Sequence, residues 1–180
     1  MTYASSETGL NRPAARDRIV VGVDGSDSSC AALRWAAAEA ATRRADLVVV
    51  HVWEPSGAHH APYAPNPGVR SRTEDRSRAQ DRLRTAVRRA LGPRPAVAVR
   101  LVLTEGRPSP VLLAHAQRAV LLILGHHPSS SPLRPALGPV ARDCVRRAPC
   151  PVVTVPCGSG GHGEVARPSQ GEGRTAPALG

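Results

Sequence analysis

Lysine and phenylalanine are both missing from this 180-residue chain, and its only aromatic residues besides histidine are Tyr3, Trp35, Trp53 and Tyr63. Single-stranded nucleic-acid binders stack bases on clustered rings, so so few scattered rings argue against nucleic acid as a partner. No apolar run approaches the roughly 20 residues that span a bilayer, and the N-terminus lacks the apolar core of a signal peptide. A cytoplasmic protein without a membrane partner is expected. There is no C-x-x-C pair and no zinc-ribbon spacing among Cys30, Cys144, Cys150 and Cys157, so free thiols are expected. Cys150 and Cys157 are the redox candidates if they lie exposed near a strand end. The histidine pairs His59/His60 and His126/His127 lack i, i+4 spacing and carboxylate companions, so no metal ligand is nominated. No G-x-S-x-G elbow, lysine P-loop or identifiable carboxylate pair near the crevice is found either, so no catalytic residue is nominated and an enzyme is not expected.

Arginine is abundant instead. The net charge of +10 comes from 24 basic residues, all arginine, against 14 acidic ones. Of these, 20 arginines and 11 acids fall between 17 and 156, so the basicity belongs to the body of the chain. Guanidinium forks suit phosphates and carboxylates alike. Residues 70 to 91 alone hold eight arginines and three acids. The ordinary reading of such a stretch is a solvated helix face, and the sharper ones are a docking patch for an acidic protein partner or weak nonspecific nucleic-acid binding.

Residues 1–16 and 157–180, polar and rich in glycine, serine and proline, read as disordered tails around one domain at 17–156. Within it, β-branched apolar runs alternate with alanine-rich or amphipathic stretches. Strands are predicted at Arg18 to Asp24, Asp46 to Trp53, Ala96 to Leu103, Val120 to Leu124 and Pro151 to Pro156. Helices are predicted over 27–44, capped by Ser26 or Asp27, over 70–91, from Ser109 to Arg118, and over 139–147. The first helix should bury Leu33, Ala36, Ala37, Ala40 and Ala41; the second Ala79, Leu83, Ala86, Val87 and Ala90. Glu54 to Gly68, with four prolines, reads as a long loop. Alternation of this kind implies an α/β fold: a doubly wound parallel five-stranded sheet with helices on both faces. Ligands bind such sheets at the carboxyl ends of the strands where strand order reverses, and Asp24 and Gly125 end two strands that would flank that point.

Three segments in combination resemble the universal stress protein family across residues 17–156. They are Ile19-Val-Val-Gly-Val-Asp24-Gly25-Ser26 followed by Ala32, Trp35 and Ala36; Val49-Val50-His51-Val52; and Leu122-Ile-Leu-Gly125 through Gly138 to Ala148-Pro149-Cys150-Pro151-Val152-Val153. The resemblance implies a Rossmann-like sheet of the adenine nucleotide alpha hydrolase type, with strand order 3-2-1-4-5. It also implies an ATP or related adenine-nucleotide site at Asp24, Val52, Leu124, Gly125, Gly138 and Val140, with no metal required by the sequence. A homodimer through the last strand, at Val152, Val153 and Val155, is implied as well.

The family's phosphate loop runs Gly, two residues, Gly, nine residues, Gly, then Ser or Thr. Here the spacing survives from Gly125 to Gly138, but proline stands at positions 128 and 139. Anions at a helix N-terminus are held by backbone N–H groups, and proline has none. At about 1.5–3 kcal/mol for each hydrogen bond to a charged group, losing two or three weakens a phosphate grip by two or more decades. Ser129, Ser130, Ser131, Arg134, His126 and His127 are the candidates to compensate. The expectation is a stress-response regulatory switch with a weakened phosphate loop, in which the prolines tip the balance towards a rearranged or empty crevice. Its alternatives are a nucleotide-independent dimeric module recruiting acidic partners through the arginine-rich helix, and a slow ATPase with no assignable base.

Overall fold

The computed structural model describes residues 17–56, 70–126 and 137–157. The expected tails lie outside these residues, save Cys157, and so do the 54–68 loop beyond Ser56, Pro128 and most of the candidate compensating residues around it. The elements in order are β1 (Arg18–Gly22), α1 (Asp27–Arg43), β2 (Asp46–Trp53), α2 (Arg72–Leu91), β3 (Val99–Glu105), α3 (Pro108–Ala116), β4 (Leu121–His126), α4 (Pro139–Arg147) and β5 (Val152–Pro156). Five parallel strands pair in the order β3-β2-β1-β4-β5, as expected.

Strands covered on both faces need apolar side chains at every position, and the β-branched runs supply them. Along β1 the side chains alternate: Ile19 and Val21 enter a core with Leu33, Ala36 and Ala40 of α1 and Leu83 of α2. Val20 enters a second core with Leu112 and Leu113 of α3 and Ala141 and Cys144 of α4. Thus α1 and α2 cover one face of the sheet and α3 and α4 the other. Because β1 lies between β2 and β4, the first crossover leaves it in one direction and the third returns on its other side, which opens a crevice at the carboxyl ends of β1 and β4.

Local chemistry sets where the helices begin. Ser26 caps α1 by accepting the Ser29 amide at 3.2 Å. At α2 the Ser71 hydroxyl accepts from the Glu74 amide at 3.2 Å while Glu74 accepts from the Ser71 amide at 3.0 Å, a reciprocal capping box. That box is written in the sequence as Ser-x-x-Glu and places the start two residues after the predicted one. The buried stripe of α1 is also rotated from the predicted one: Ala41 is exposed and Ala37 half-buried, whereas Ala32 and Cys30 are buried. At its start Ser28 and Ser29 are buried against Gly125 of β4.

β3 is shifted towards its C-terminus relative to the expected Ala96 to Leu103. Its limits follow β2, against which it pairs from Leu47↔Val99 to Trp53↔Glu105. A strand at the sheet edge takes its register from its one neighbour, and its own β-branched run from Val97 does not override that. The four cysteines are free thiols; Cys30 and Cys144 are buried, and burial pushes the Cys144 thiol up to about 11. Burial also raises Cys150, which is half-buried, so the thiolate a redox role needs is disfavoured there. No helix among the described residues is long and apolar enough to cross a membrane.

Replacing Ser71 by alanine removes one half of the capping box, so a loss of about 1 kcal/mol and a Tm lower by about 2–4 °C are expected in a thermal melt followed by circular dichroism.

Candidate functional site

Where β1 stops, the chain makes a tight turn that aims Asp24 outward beside the start of α1. Three hydrogen bonds build it. The Val23 amide donates to Val50 O at 2.9 Å, which prolongs the sheet by one residue beyond β1. His51, buried on β2, donates from Nδ1 to Val23 O at 2.7 Å; a carbonyl only accepts, so the proton sits on Nδ1. Asp24 Oδ1 then accepts the Ser26 amide at 2.9 Å, and Gly25 between them has φ +90, which a glycine adopts without strain.

A small hydroxyl network continues from there. Ser26 and Ser28 share a hydrogen bond of 3.0 Å between their Oγ atoms, and the Ser29 hydroxyl donates to Ser26 O at 2.9 Å. Burial works to raise the Asp24 carboxyl, but hydrogen bonds from the Ser26 side chain and amide and the Ser29 side chain outweigh it and hold it below the ordinary carboxylate range. Asp24 is therefore ionised at neutral pH, exposed at the rim and fixed in direction.

Directly across stands Gly125 on β4. A Cβ on this residue would lie 2.4 Å from the carbonyl carbon of Ser28, 2.5 Å from its oxygen and 2.6 Å from the Ser29 nitrogen. Backbone meets backbone here, so the first turn of α1 rests on β4 only because position 125 has no side chain.

Between these groups opens a cavity of about 200 Å³. Asp24, Ser26 and Ser29 line its polar side; Val50, Val52, Leu112, Leu124 and Val140 supply apolar walls. The space is below the roughly 300–1,000 Å³ of sites that hold a whole drug-sized ligand, and it suits one flat ring with the rest of the molecule outside. A shallower groove of about 530 Å³ adjoins it, sharing Pro108 and Val140 and also lined by Glu54, Arg107, Asp143 and Arg147. The N-termini of α3 and α4 flank this groove. Each begins with proline and neither has a side-chain cap.

Five of the six nominated residues, Asp24, Val52, Leu124, Gly125 and Val140, meet at the cavity. Gly138 does not line it; it is the N-cap of α4, with extended dihedrals and open space where a Cβ would be. Pro139 occupies the first position of α4, as the sequence suggests, and costs one of that end's unpaired N–H groups while those of Val140 and Ala141 follow it. Of the candidate compensating residues only His126 is described: it closes β4, and its Nδ1 is buried with no hydrogen-bond partner. His51, the Ser28/Ser29 pair and Arg107 were not singled out as functional positions. The serines carried a signal, since Asp-Gly-Ser followed by Ser-Ser at a helix start reads as a hydroxyl-rich cap; the other two had none. Among the described residues no cluster of histidine, cysteine or acid could hold a metal.

A family model described as the Universal stress protein family matches residues 15–156. A universal stress protein of Mycobacterium tuberculosis is 33% identical over 153 residues, which are 81% of this chain and 50% of that relative. A second one from the same species is 34% identical over 141 residues, 75% of this chain and 42% of the relative. The chain thus spans about half the length of the curated relatives it matches. Among solved structures, a universal stress protein UspA from Lactobacillus plantarum superposes with TM-score 0.60 at 26% identity, covering 79% of this chain and 99% of that one. One from Archaeoglobus fulgidus, in complex with dAMP, gives TM-score 0.56 at 26% identity over 78% of this chain and 98% of that one. A universal stress protein in complex with cAMP gives 0.51 at 26% identity, over 79% and 98%.

Gly125→Ala is expected to destabilise the fold by about 1–3 kcal/mol, because the clash is with main chain and the helix must lift to relieve it. In the same urea titration Gly138→Ala, with nothing within 4 Å of the added Cβ, should cost less than about 1 kcal/mol. The lowered carboxyl of Asp24 stabilises the fold above the unfolded-state carboxylate pKa of about 3.9, and that contribution is lost as pH falls through the lower folded value. The stability gap between wild type and Asp24→Asn should therefore be constant from neutral pH to about 5 and shrink steadily below about 4 in acid titrations of the unfolding midpoint.

Proposed function

We propose that this chain, which belongs to the universal stress protein family, is a stress-response binding protein whose regulatory ligand is an adenine nucleotide held at the crevice between β1 and β4. The observation that carries the reading is one apolar cavity with a single ionised carboxylate, Asp24, fixed at its mouth. The walls formed by Val50, Val52, Leu124 and Val140 suit the faces of a purine, and Asp24 suits ribose hydroxyls, which donate to a carboxylate. Similar proteins crystallised with cAMP and dAMP support an adenine ligand.

The grip falls off towards the phosphates. Pro139 gives no N–H, α4 has no capping side chain, and Arg147 in the adjoining groove is paired with Asp143 at 3.3 Å. ATP is accordingly a ligand of this site without the tight triphosphate cradle of the family pattern. In this reading the protein acts through its conformation and partners rather than as a catalyst. Two further parts of the reading are a cytoplasmic residence and a homodimer built on β5, the strand at the sheet edge, where Val155 is buried and Val152 and Val153 are half-buried. A nucleotide-independent interaction module is the competing reading, and Pro139 is what favours it.

Calorimetric titration with AMP and with ATP tests the proposal. Both should bind, ATP no more than about tenfold tighter than AMP because the extra phosphates find few donors. Asp24→Ala should weaken both by about tenfold or more while the melting curve stays cooperative. A folded protein that gives no heat with either nucleotide at millimolar concentration removes the ligand from the reading and leaves the interaction module.

A further inference from the structure

Away from the crevice, α2 carries an uncompensated charge that the nucleotide reading does not use. It lines neither the cavity nor the groove beside it. Of its seven arginines, Arg72 pairs with Glu105 at 2.8 Å and Arg89 pairs with Asp27. Arg76, Arg78, Arg82, Arg84 and Arg88 are exposed and none is within ion-pair distance of a described carboxylate, although Arg78 interacts electrostatically with Asp75.

Their spacing along the helix is informative. With Ala79, Leu83 and Ala86 turned to the core, a period of 3.6 puts Arg84 and Arg88 on the opposite side and Arg78 and Arg82 on the flank between. Both are like-charge i, i+4 pairs, each of which costs an isolated helix about 0.2–0.5 kcal/mol. The chain bears that cost on a helix otherwise well built, with a complete capping box at its start and Gly92 at its end.

We propose that the outer face of α2 is a docking surface for an acidic helix of a partner protein. Residues four apart on a helix lie about 6 Å apart along its axis, so a partner with carboxylates at i and i+4 matches the Arg84/Arg88 pair on the outer side. A guanidinium fork takes each carboxylate through two parallel hydrogen bonds. Protein fits the face better than nucleic acid does. Of the described aromatic residues, Trp35 is on α1. Trp53 of β2 lines a pocket with Arg72 and Arg76 of α2 but is buried, so no exposed ring of α2 itself is offered to a base. Exposed Glu74 and Asp81 interrupt the basic stripe. A uniform run of phosphates meets these two carboxylates unfavourably, whereas a protein helix can set a basic or hydroxyl residue against them. This surface is independent of whether nucleotide binds.

Fluorescence anisotropy on the full chain, with a labelled alanine-based helical peptide bearing glutamates at i, i+4 positions, tests the assignment. At about 50 mM salt the peptide should bind, and about 200 mM salt should weaken it. Arg84→Glu/Arg88→Glu should lower affinity by about tenfold or more, against less than about threefold for Arg142→Glu/Arg146→Glu on α4, which changes net charge equally. Arg84→Gln/Arg88→Gln, which keeps helix propensity, should weaken binding without lowering the melting temperature. Equal losses from the two Glu variants would show bulk attraction instead of a surface. A short DNA duplex that displaces the peptide at lower concentration than unlabelled peptide does would reassign the face to nucleic acid, and no binding at low salt would end the proposal.

Discussion

The contact between the first turn of α1 and β4 at Gly125 organises everything near the crevice. Ser28 and Ser29 stand where a side chain at position 125 would be. Two consequences follow from one missing Cβ. The helix start lies low enough for the Ser26 amide to reach Asp24, and Ser28 and Ser29 become buried at 3% exposure each, with Ser29 lining the cavity. In this chain the glycine that resembles the opening of a phosphate loop is demanded first by packing. A glycine in such a motif can therefore persist for structural reasons even where phosphate binding weakens.

His51 completes the arrangement from the other side. It is a buried polar residue within the apolar run of β2, and its Nδ1 donates to Val23 O. With the Val23 amide bound to Val50 O, both backbone groups of residue 23 are satisfied by β2. The residue before Asp24 is thus held at N–H and C=O, which restricts the turn more firmly than the Asp-Gly sequence alone would. Asp24 is displayed at a solvent-exposed rim, yet its backbone is anchored to the sheet interior.

Most of the fold was legible because its signals are local. Five β-branched runs, proline at the starts of two helices and glycine after α2 mark the elements to within a few residues, and right-handed crossover does the rest. The site was partly legible: the spacing of Asp24, Gly125 and the α4 start within alternating elements brings them together in any sheet of order 3-2-1-4-5. The features that escaped depend on partners remote in the chain. The role of His51 requires Val23, 28 residues away, to present its carbonyl. The limits of β3 are inherited from β2, and Ser28 and Ser29 of α1 are buried against Gly125. Gly138, nominated from its place in a motif, is the N-cap of α4 with open space where a Cβ would be.

Proline at the first turn of both α3 and α4 shapes what the crevice can discriminate. Position N1 tolerates proline because its N–H has no helical partner, so neither helix is destabilised. The same N–H is one of those that would otherwise meet an anion, so the fold loses nothing and only the ligand does. Under the proposed nucleotide reading, recognition would sit at the ring and sugar end, in apolar walls and one carboxylate that would repel a phosphate placed close to it. A site weighted this way would select by the base and separate poorly by the number of phosphates, because the adjoining groove offers Arg147 already paired with Asp143. Occupancy would then follow the total of molecules carrying the base, which is a different signal from the ratio of triphosphate to monophosphate.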